Sequence, residues 1–413
     1  MNRVSAWWSL GLIRYLEGSW DVDKDLRLVQ VQLIHRHGDR TPVAPAGQDL
    51  VFWEQQIPGG AMALAESWEE LALQGSTLHR CPLTRGPFEA HFYDQRYSDP
   101  RLGQLTFAGY AQLRQLGQTI RKQYQTLLPE QYVPGSVLAY STNFRRTVLS
   151  VDNLLLGLYP PESRPTEHAK IPIFVKLPIQ KEVMFTYKCP SLSFFRQAIL
   201  SQNAVRAQEA NMAELKKLFI TAYGLEETEF SWTEARDSLT VANAYGLPLP
   251  PTVDSDSVSD RILRHNCFRW NALFSSPHAI KFGIGRLVET VLARISSLKV
   301  DQSGPKLVVY SAHDTTLFMF LKALGVDMSL DWPPYASYLA IESYANDENE
   351  IFCRFVYNGE PLVIESKPGD PLSRMQFVPL KLLRMMWEQY HSQDFEAECI
   401  ERSLDKSEKQ LQP

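Results

Sequence analysis

Residues 28 to 42 read Leu-Val-Gln-Val-Gln-Leu-Ile-His-Arg-His-Gly-Asp-Arg-Thr-Pro. The first seven alternate apolar and polar side chains before an apolar pair, which predicts a β-strand. Four positions beyond it comes Gly38, which lets the backbone approach a ligand, and Pro42 then stiffens the chain. Because open α/β sheets bind ligands at the carboxyl ends of their strands, this stretch predicts an α/β fold with a site at residues 36 to 42.

The side chains of this first motif have the chemistry of a phosphate site. Arg36 and Arg40 flank His37, and planar guanidinium groups match the oxygens of a phosphomonoester with paired, charge-assisted hydrogen bonds. An imidazole held between them is placed to attack phosphorus. We therefore expect Arg36 and Arg40 to bind phosphate and His37 to be the nucleophile.

A second motif, Ser-Ala-His-Asp-Thr at residues 311 to 315, follows a short apolar run and precedes a helical stretch. It therefore also lies where a strand becomes a helix, so the two motifs can meet at one sheet edge. Attack by a histidine expels an alkoxide, which leaves poorly unless it is protonated. Asp314 is the candidate proton donor, and His313 is a further donor to the phosphate oxygens. A carboxyl with an ordinary pKa of about 3.9 donates only if that pKa is raised or the medium is acidic, so we expect an acidic optimum.

Each motif also has an ordinary structural interpretation. An Arg-His-Gly segment occurs in turns with exposed arginines, and a His-Asp pair alone is weaker evidence still. Their joint occurrence after two predicted strands favours the catalytic interpretation. For the neighbours, a structural role is favoured: His35 should point to the opposite side of the strand from Arg36, and Asp39 should orient an arginine or face solvent.

The two motifs resemble those of the histidine acid phosphatases, a branch of the histidine phosphatase superfamily marked by Arg-His-Gly-x-Arg-x-Pro and a distant His-Asp pair. The resemblance implies that His37 becomes phosphorylated and that Asp314 protonates the leaving group. The family adds a third arginine from a Ser-Thr-Asp-x-x-Arg-Thr segment, and residues 141 to 147 read Ser-Thr-Asn-Phe-Arg-Arg-Thr, with Asn in place of Asp. In this register Arg146 binds phosphate, and Arg145 is a surface charge or lies behind the phosphate site.

Within this family the chain is most similar to the lysophosphatidic acid phosphatase type 6 subgroup. The similar segments are residues 103–109, 141–144, 154–158 and 332–336. This resemblance implies hydrolysis of lysophosphatidic acid to monoacylglycerol and phosphate; an inositol polyphosphate or sugar phosphate is the alternative substrate, and phosphoryl mutase activity is the alternative reaction. Five aromatic side chains could line an acyl-chain cleft, although core packing is the favoured explanation for each taken alone: Phe52, Trp53, Phe88, Tyr93 and Phe185.

The remaining patterns predict a mixed, mainly parallel sheet flanked by helices, which the resemblance implies is phosphoglycerate mutase-like, with an inserted α-helical cap. Apolar spacings of three and four predict helices over 110–127 and 148–158. Alternation predicts a strand at 137–140 and antiparallel strands at 338–344 and 351–357, and Asn358-Gly359 predicts a hairpin.

These elements suggest how the chain is divided. The resemblance implies that the α-helical cap covers the catalytic edge and that residues 43 to 100 contribute loops. The predicted parts are an N-terminal extension at 1–25, an α/β core at 26–177 and 281–400, a helical cap at 178–280 and a tail at 401–413.

Composition limits the partners. The chain has 413 residues, 44% of them hydrophobic, which is enough for a large core. A net charge of −5 gives no general attraction for nucleic acid or anionic membranes. Apolar runs are too short to span a bilayer. We therefore expect a small-molecule phosphomonoester, with a lysophospholipid as the candidate, no nucleic acid, no membrane span, and a monomer.

Cysteine usage bears on cofactors and compartment. The five cysteines include no Cys-x-x-Cys pair, which argues against a zinc or redox motif, so no metal or cofactor is expected. An odd count and a poor signal peptide favour a reducing compartment. We expect the cytoplasm, with mitochondria as the alternative because the N-terminal stretch also resembles a weak organellar signal. The disulfide pattern stays open.

Overall fold

One sheet of nine strands organises the fold. The structure, a computed structural model, describes residues 26–44, 49–60, 73–82, 99–165, 170–177, 184, 189–298, 304–329, 331–366 and 373–404. The strands in these ranges are β1 (Arg27–Arg36), β2 (Ser76–Pro82), β3 (Val137–Ser141), β4 (Ile171–Leu177), β5 (Leu307–Ala312), β6 (Tyr338–Ala345), β7 (Ile351–Tyr357), β8 (Glu360–Pro361), β9 (Ile364–Glu365), β10 (Arg374–Met375) and β11 (Phe377–Pro379). Strands β9 and β10 form a separate two-stranded ribbon.

The sheet is mixed, with a parallel majority, as the sequence predicts. Its order is β11-β7-β6-β1-β5-β3-β4-β2, and β8 pairs with β7. Strands β1, β5, β3, β4 and β2 are parallel, whereas β6, β7, β8 and β11 pair antiparallel with their neighbours. Because β1, β5 and β3 lie side by side, the three segments with predicted site residues end at one edge of the sheet.

Helices cover both faces of the sheet. The α-helices of the described ranges are α1 (Leu50–Gln56), α2 (Phe107–Gln123), α3 (Arg145–Leu158), α4 (Pro190–Leu200), α5 (Asn203–Asn211), α6 (Ala213–Tyr223), α7 (Trp232–Tyr245), α8 (Asp256–Leu273), α9 (Pro277–Ser296), α10 (Asp314–Ala323), α11 (Leu380–Trp387) and α12 (Phe395–Leu404). Short 3-10 helices lie at Pro161–Ser163, Glu227–Glu229 and Glu388–Tyr390.

The alternation along the central strands divides the core in two. Leu33 of β1 and Val309 of β5 point to one face, where α2 and α3 pack. Ile34 and Tyr310, their neighbours along the chain, point to the other face, where α9, α10 and α11 pack. Successive side chains of a strand point to opposite faces, so both cores follow from strands that are apolar on each side.

Helices α2 and α3 approach each other backbone to backbone. A β-carbon on Gly117 would overlap the carbonyl oxygen of Leu154, and one on Gly157 would overlap the carbonyl oxygen of Arg114. Two glycines therefore set the distance between these helices, and α3 carries the predicted phosphate residue Arg146 at its beginning.

The region predicted as a cap is helical in its described part. Helices α6, α7 and α8 enclose a small core of their own, which includes Phe219, Trp232 and Ile262. Helix α9 begins at Pro277 and packs on the sheet, so it crosses the boundary predicted at residue 280. The exact division into parts stays a prediction.

Several element predictions agree with the structure, and others need correction. Asn358 and Gly359 both have positive φ angles, 50° and 92°, and join β7 to β8 as the predicted hairpin.

The loop prediction for 43–100 is wrong for α1 and β2. Strand β2 reads Ser-Thr-Leu-His-Arg-Cys-Pro, which lacks an apolar alternation, and it is a strand because it pairs along β4.

The structure tests only part of what the sequence predicts for the two ends of the chain. Residues 1–25 and 405–413 lie outside the described ranges, and so does most of 61–98. Helix α12 continues to Leu404, four residues into the predicted tail. No helix of the described ranges is both long enough and apolar enough to span a membrane.

A disulfide joins Cys189, before α4, to Cys399 in α12. Cys267 and Cys353 are buried thiols. Structural disulfides are typical of oxidising compartments, which disagrees with the reducing compartment inferred from the odd cysteine count.

Candidate active site

Backbone hydrogen bonds hold the three segments together at the sheet edge. The His37 N–H donates to the carbonyl oxygen of Ala312 at 3.0 Å, and the Thr142 N–H donates to that of Ser311 at 3.2 Å. The segment after β1, the His-Asp motif after β5 and the segment after β3 thus meet, although they are far apart in sequence.

The ring of His37 has one defined tautomer. Its Nδ1 lies 2.8 Å from the carbonyl oxygen of Gly38, and a carbonyl can only accept, so Nδ1 carries the hydrogen. Burial, followed by the charges of Arg146, Arg36 and Arg40, holds the pKa of His37 well below its ordinary value. The imidazole is therefore neutral, with the lone pair on Nε2.

The backbone after His37 packs against the beginning of α2. A β-carbon on Gly38 would lie 2.5 Å from the carbonyl oxygen of Gly109, so the close approach requires glycine. The carboxylate of Asp39 accepts hydrogen bonds from the hydroxyls of Thr106 and Tyr245, each at 2.5 Å. Asp39 is only 3% exposed, so the expectation that it faces solvent is wrong; it joins the motif to α2 and to cap helix α7.

The first predicted phosphate ligand, Arg36, contacts a carboxylate. Its guanidinium lies 3.1 Å from Oδ2 of Asp314, donates to the carbonyl oxygen of Pro333 at 2.7 Å, and stacks 4.0 Å from the ring centroid of Tyr335. His35, by contrast, is fully buried, and its Nδ1 donates to the carbonyl oxygen of Arg36 at 2.9 Å, which is consistent with a structural role.

Arg40 has a similar arrangement on the other side of His37. Both terminal nitrogens of Arg40 contact the carboxylate of Asp237 on α7, at 2.8 and 3.0 Å. Two of the cations predicted for phosphate are thus balanced by aspartates in this structure.

Arg145 and Arg146 point in different directions from the first turn of α3. Arg146 stacks 4.4 Å from the ring of Phe144 and is the charge that acts most strongly on His37. Arg145 acts instead on Tyr110 of α2. Burial and Asp152 raise the pKa of Tyr110 to about 12, and the charge of Arg145 opposes that rise. Arg145 is only 6% exposed, so the surface position expected for it is wrong, and Arg146 is the arginine beside His37.

His313 lies beside His37, directly before α10. The two rings meet edge to face with centroids 5.7 Å apart. Nε2 of His313 is 3.0 Å from the hydroxyl of Thr142, so a residue of the third segment orients this imidazole.

Asp314 is surrounded by donors. Its Oδ2 accepts from the indole N–H of Trp332 at 2.8 Å and lies 3.4 Å from Arg236, in addition to Arg36. Its Oδ1 accepts the N–H of Thr315 at 2.8 Å. Burial alone would raise the pKa of Asp314, but the charges of Arg36 and Arg236 and the Trp332 hydrogen bond hold it well below its ordinary value.

Sequence reasoning missed the residues that approach from the cap and from the loop before β6. These are Arg236, Asp237 and Tyr245 of α7, and Trp332 and Tyr335 of the loop. Buried charges are rare unless they are paired, so Arg236 and Asp237 on the buried face of α7 mark a site, but that burial is seen only in the structure. Among the described residues, no group of three or more His, Cys, Asp or Glu is arranged to hold a metal ion.

The model of the histidine phosphatase superfamily (branch 2) matches residues 27–358. The chain belongs to this family. The matched span includes all of the site residues described above, and membership makes this histidine phosphatase a phosphoric monoester hydrolase, as the sequence motifs predict.

Relatives of this histidine phosphatase include several acid phosphatases. The lysosomal acid phosphatase of Bos taurus is 28% identical over 291 residues, which cover 67% of this chain and 68% of the relative. Lysophosphatidic acid phosphatase type 6 of Bos taurus is 24% identical over 393 residues, which cover 92% and 89%. The solved phytase from Citrobacter braakii has a TM-score of 0.57 at 15% identity and covers 90% of this chain and 99% of its own, which shows a common fold.

Proposed function

We propose that this histidine phosphatase hydrolyses phosphomonoesters through a phosphohistidine at His37. The observation that carries the proposal is the tautomer of His37, because a hydrogen on Nδ1 directs the Nε2 lone pair into a site surrounded by guanidinium groups. A depressed pKa keeps this nucleophile neutral in acid, where an ordinary histidine is protonated.

In the first step, Nε2 of His37 forms a bond to phosphorus as the bond from phosphorus to the ester oxygen breaks. Asp314 gives its proton to that oxygen, so an alcohol leaves instead of an alkoxide. Arg36, Arg40, Arg146 and His313 bind the phosphoryl oxygens and stabilise the charge of the transition state. To do so, Arg36 and Arg40 exchange their aspartate contacts for phosphate.

The proton on Asp314 arrives with the substrate. The second pKa of a phosphomonoester is about 6, so in acid the substrate binds as a monoanion. When Arg36 turns from Asp314 to the phosphate, the carboxylate loses a cation and takes up that proton. The low pKa of Asp314 before substrate binding is thus compatible with its role as the acid, and kcat/KM should decline above about pH 6, where the free substrate loses this proton.

In the second step, water attacks the phosphohistidine. The water oxygen bonds to phosphorus, its proton passes to Asp314, and the bond from phosphorus to Nε2 breaks, which releases phosphate and restores His37. Because the arginines supply the positive charge, we propose that the reaction needs no divalent metal or other cofactor, and EDTA should not inhibit it.

For the substrate, we propose lysophosphatidic acid. Similarity to lysophosphatidic acid phosphatase type 6 over 92% of the chain supports this choice. The aromatic residues expected to line a cleft add little: Trp53 is fully buried against Tyr245, Phe52 lies beside both, and the other three are outside the described ranges. Inositol polyphosphates and sugar phosphates stay as the alternative.

One assay tests both the chemistry and the substrate. Initial phosphate release is measured at about pH 5 from lysophosphatidate, inositol hexakisphosphate and a small aryl phosphate, with isomerised products assayed in parallel. Preference for lysophosphatidate supports the lipid substrate, preference for a polar substrate rejects it, and isomerisation without phosphate release indicates a mutase.

Histidine variants test the nucleophile. His37→Ala should abolish turnover and phosphohistidine formation, detected by alkaline quench. His79→Ala, which changes an exposed histidine of β2, is the matched control and should retain full activity. Retained turnover in His37→Ala would exclude the mechanism.

A further inference from the structure

Cap helix α7 brings two neighbouring residues of opposite charge into the active site. Arg236 and Asp237 are 6% and 3% exposed. Asp237 pairs with Arg40 of the nucleophile motif, and Arg236 contacts Asp314 of the acid motif. One turn of the cap thus touches both halves of the catalytic site.

The position of Arg236 is fixed by an aromatic ring. Its guanidinium lies 4.3 Å from the ring centroid of Trp332, and arginine stacks on indole faces through cation–π attraction. The indole N–H of Trp332 donates to Oδ2 of Asp314, the same atom that Arg236 approaches at 3.4 Å. Arg236 and Trp332 therefore hold this carboxylate in one orientation.

Arg36 and Arg236 each stack on an aromatic ring, Tyr335 and Trp332, but they come from different parts of the chain. Arg36 comes from the phosphate-binding motif, and the proposed mechanism moves it to the substrate. Arg236 comes from the cap, where its stack on Trp332 keeps it beside Asp314. Once Arg36 has turned away, Arg236 is the guanidinium that remains at Oδ2.

We propose that Arg236 is a positioning residue that orients Asp314 for proton transfer and keeps it ionised until the substrate delivers a proton. This inference rests on the proposed function of Asp314 as the acid. It assigns to the cap a direct part in the proton transfer, in addition to any part in covering the site.

Other charged and titratable groups also face this pair. Arg36 and His37 act on Asp314 from the first motif. Arg236 also acts on the Cys267 thiol of α8: burial raises the pKa of that thiol to about 11, Arg236 opposes the rise, and Asp331 adds to it. A cation at this distance lowers the pKa of a carboxyl by about 1 to 3 pH units, so removal of Arg236 should let Asp314 keep its proton to higher pH.

The test compares pH profiles of kcat for an alkyl phosphate and a nitrophenyl phosphate, using the full chain. Arg236→Gln should move the alkaline limb up by about one pH unit and should reduce turnover of the alkyl ester more, because nitrophenolate leaves without a proton. Arg236→Lys keeps the charge and should keep the limb near its wild-type position. The control is Arg264→Gln, which removes a cap arginine that is 56% exposed and pairs with Asp260.

The outcomes separate the two levels of the proposal. One outcome is that the wild type forms phosphohistidine while Arg236→Gln and Arg264→Gln share the position of the alkaline limb of kcat and the preference between the two esters. That result overturns the role of Arg236 and leaves the proposed function standing. If the wild type forms no phosphohistidine, the proposed function fails first. Should Arg236→Gln not fold, Arg236→Met, which keeps an apolar stem but no charge, takes its place and should shift the limb in the same direction; an unshifted limb then rejects the inference.

Discussion

His35 and His37 lie two positions apart, and burial is the main cause that lowers the pKa of each. For His37 this preserves a neutral nucleophile in acid. His35 has a different role: its Nδ1 donates to the carbonyl oxygen of Arg36 at 2.9 Å, and its pKa is lowered to about 4. The same physical effect thus carries a stability cost in acid at both residues, and at His37 it also serves catalysis.

The stability cost of His35 depends on pH. The unfolded chain protonates this histidine near its ordinary pKa of about 6.5, whereas the folded protein does so near 4. Unfolded chains therefore bind more protons between these values, and His35 alone should lower the free energy of unfolding by about 3 kcal/mol as pH drops from 7 to 4. His35→Gln should flatten this part of the curve, measured by urea denaturation across pH. An unchanged slope would show that His35 is not its source.

The leaving group should reveal Asp314 as the acid. Asp314→Asn keeps the shape but provides no acidic proton, so turnover of an alkyl phosphate should fall about 10²- to 10⁴-fold. Nitrophenyl phosphate should lose less, because its leaving group is stable as an anion. Asp260→Asn, a surface substitution in the cap, is the control. Equal losses with both esters would contradict the assignment.

At the scale of elements, the contact between α2 and α3 positions Arg146. Both helices pack on the sheet, and Gly117 and Gly157 allow their backbones to touch. The beginning of α2 also packs on Gly38, so this helix contacts two of the three segments of the site. A shift of α2 would therefore move both Arg146 and the backbone beside His37.

The glycine contact should be sensitive to a single methyl group. Gly157→Ala places a β-carbon against the carbonyl oxygen of Arg114, and such overpacking costs about 1 to 3 kcal/mol. The melting temperature should fall accordingly, and activity should fall with it because Arg146 moves. Gly304→Ala is the control, since its β-carbon would meet open space. Equal stability of the two variants would rule out a rigid contact.

The elements also show what the sequence can and cannot predict. Strands β1, β3 and β5 were predictable because each is a local apolar pattern that ends in a polar motif. Strand β2 was not, because it becomes a strand only through pairing with β4. In the site, His37 and Asp314 follow from motifs, whereas Arg236 reaches Asp314 through the packing of the cap on the core, which no local pattern encodes.

At the scale of the whole molecule, the disulfide joins two distant regions. Cys189 lies before the first described cap helix and Cys399 lies in the last described helix, with a sequence separation of 210 residues. The closed loop contains the described cap helices and the His-Asp motif, whereas the nucleophile motif lies outside it.

Reduction of this bond should destabilise the protein. A crosslink lowers the entropy of the unfolded chain, and native disulfides contribute about 2 to 5 kcal/mol. The melting temperature should drop when reductant is added to the wild type. A Cys189→Ser, Cys399→Ser double variant should melt at the lower temperature under both conditions. A wild type that is insensitive to reductant would indicate that the bond does not form in solution.

The same loop has a consequence for a protein cut by a protease. A single cleavage between the two cysteines, for example in the cap, leaves His37 on one fragment and Asp314 on the other if it falls before residue 314. The fragments stay covalently linked, so they should run as one band without reductant and as two bands with it. A nicked enzyme would then keep both halves of its catalytic site in a single particle.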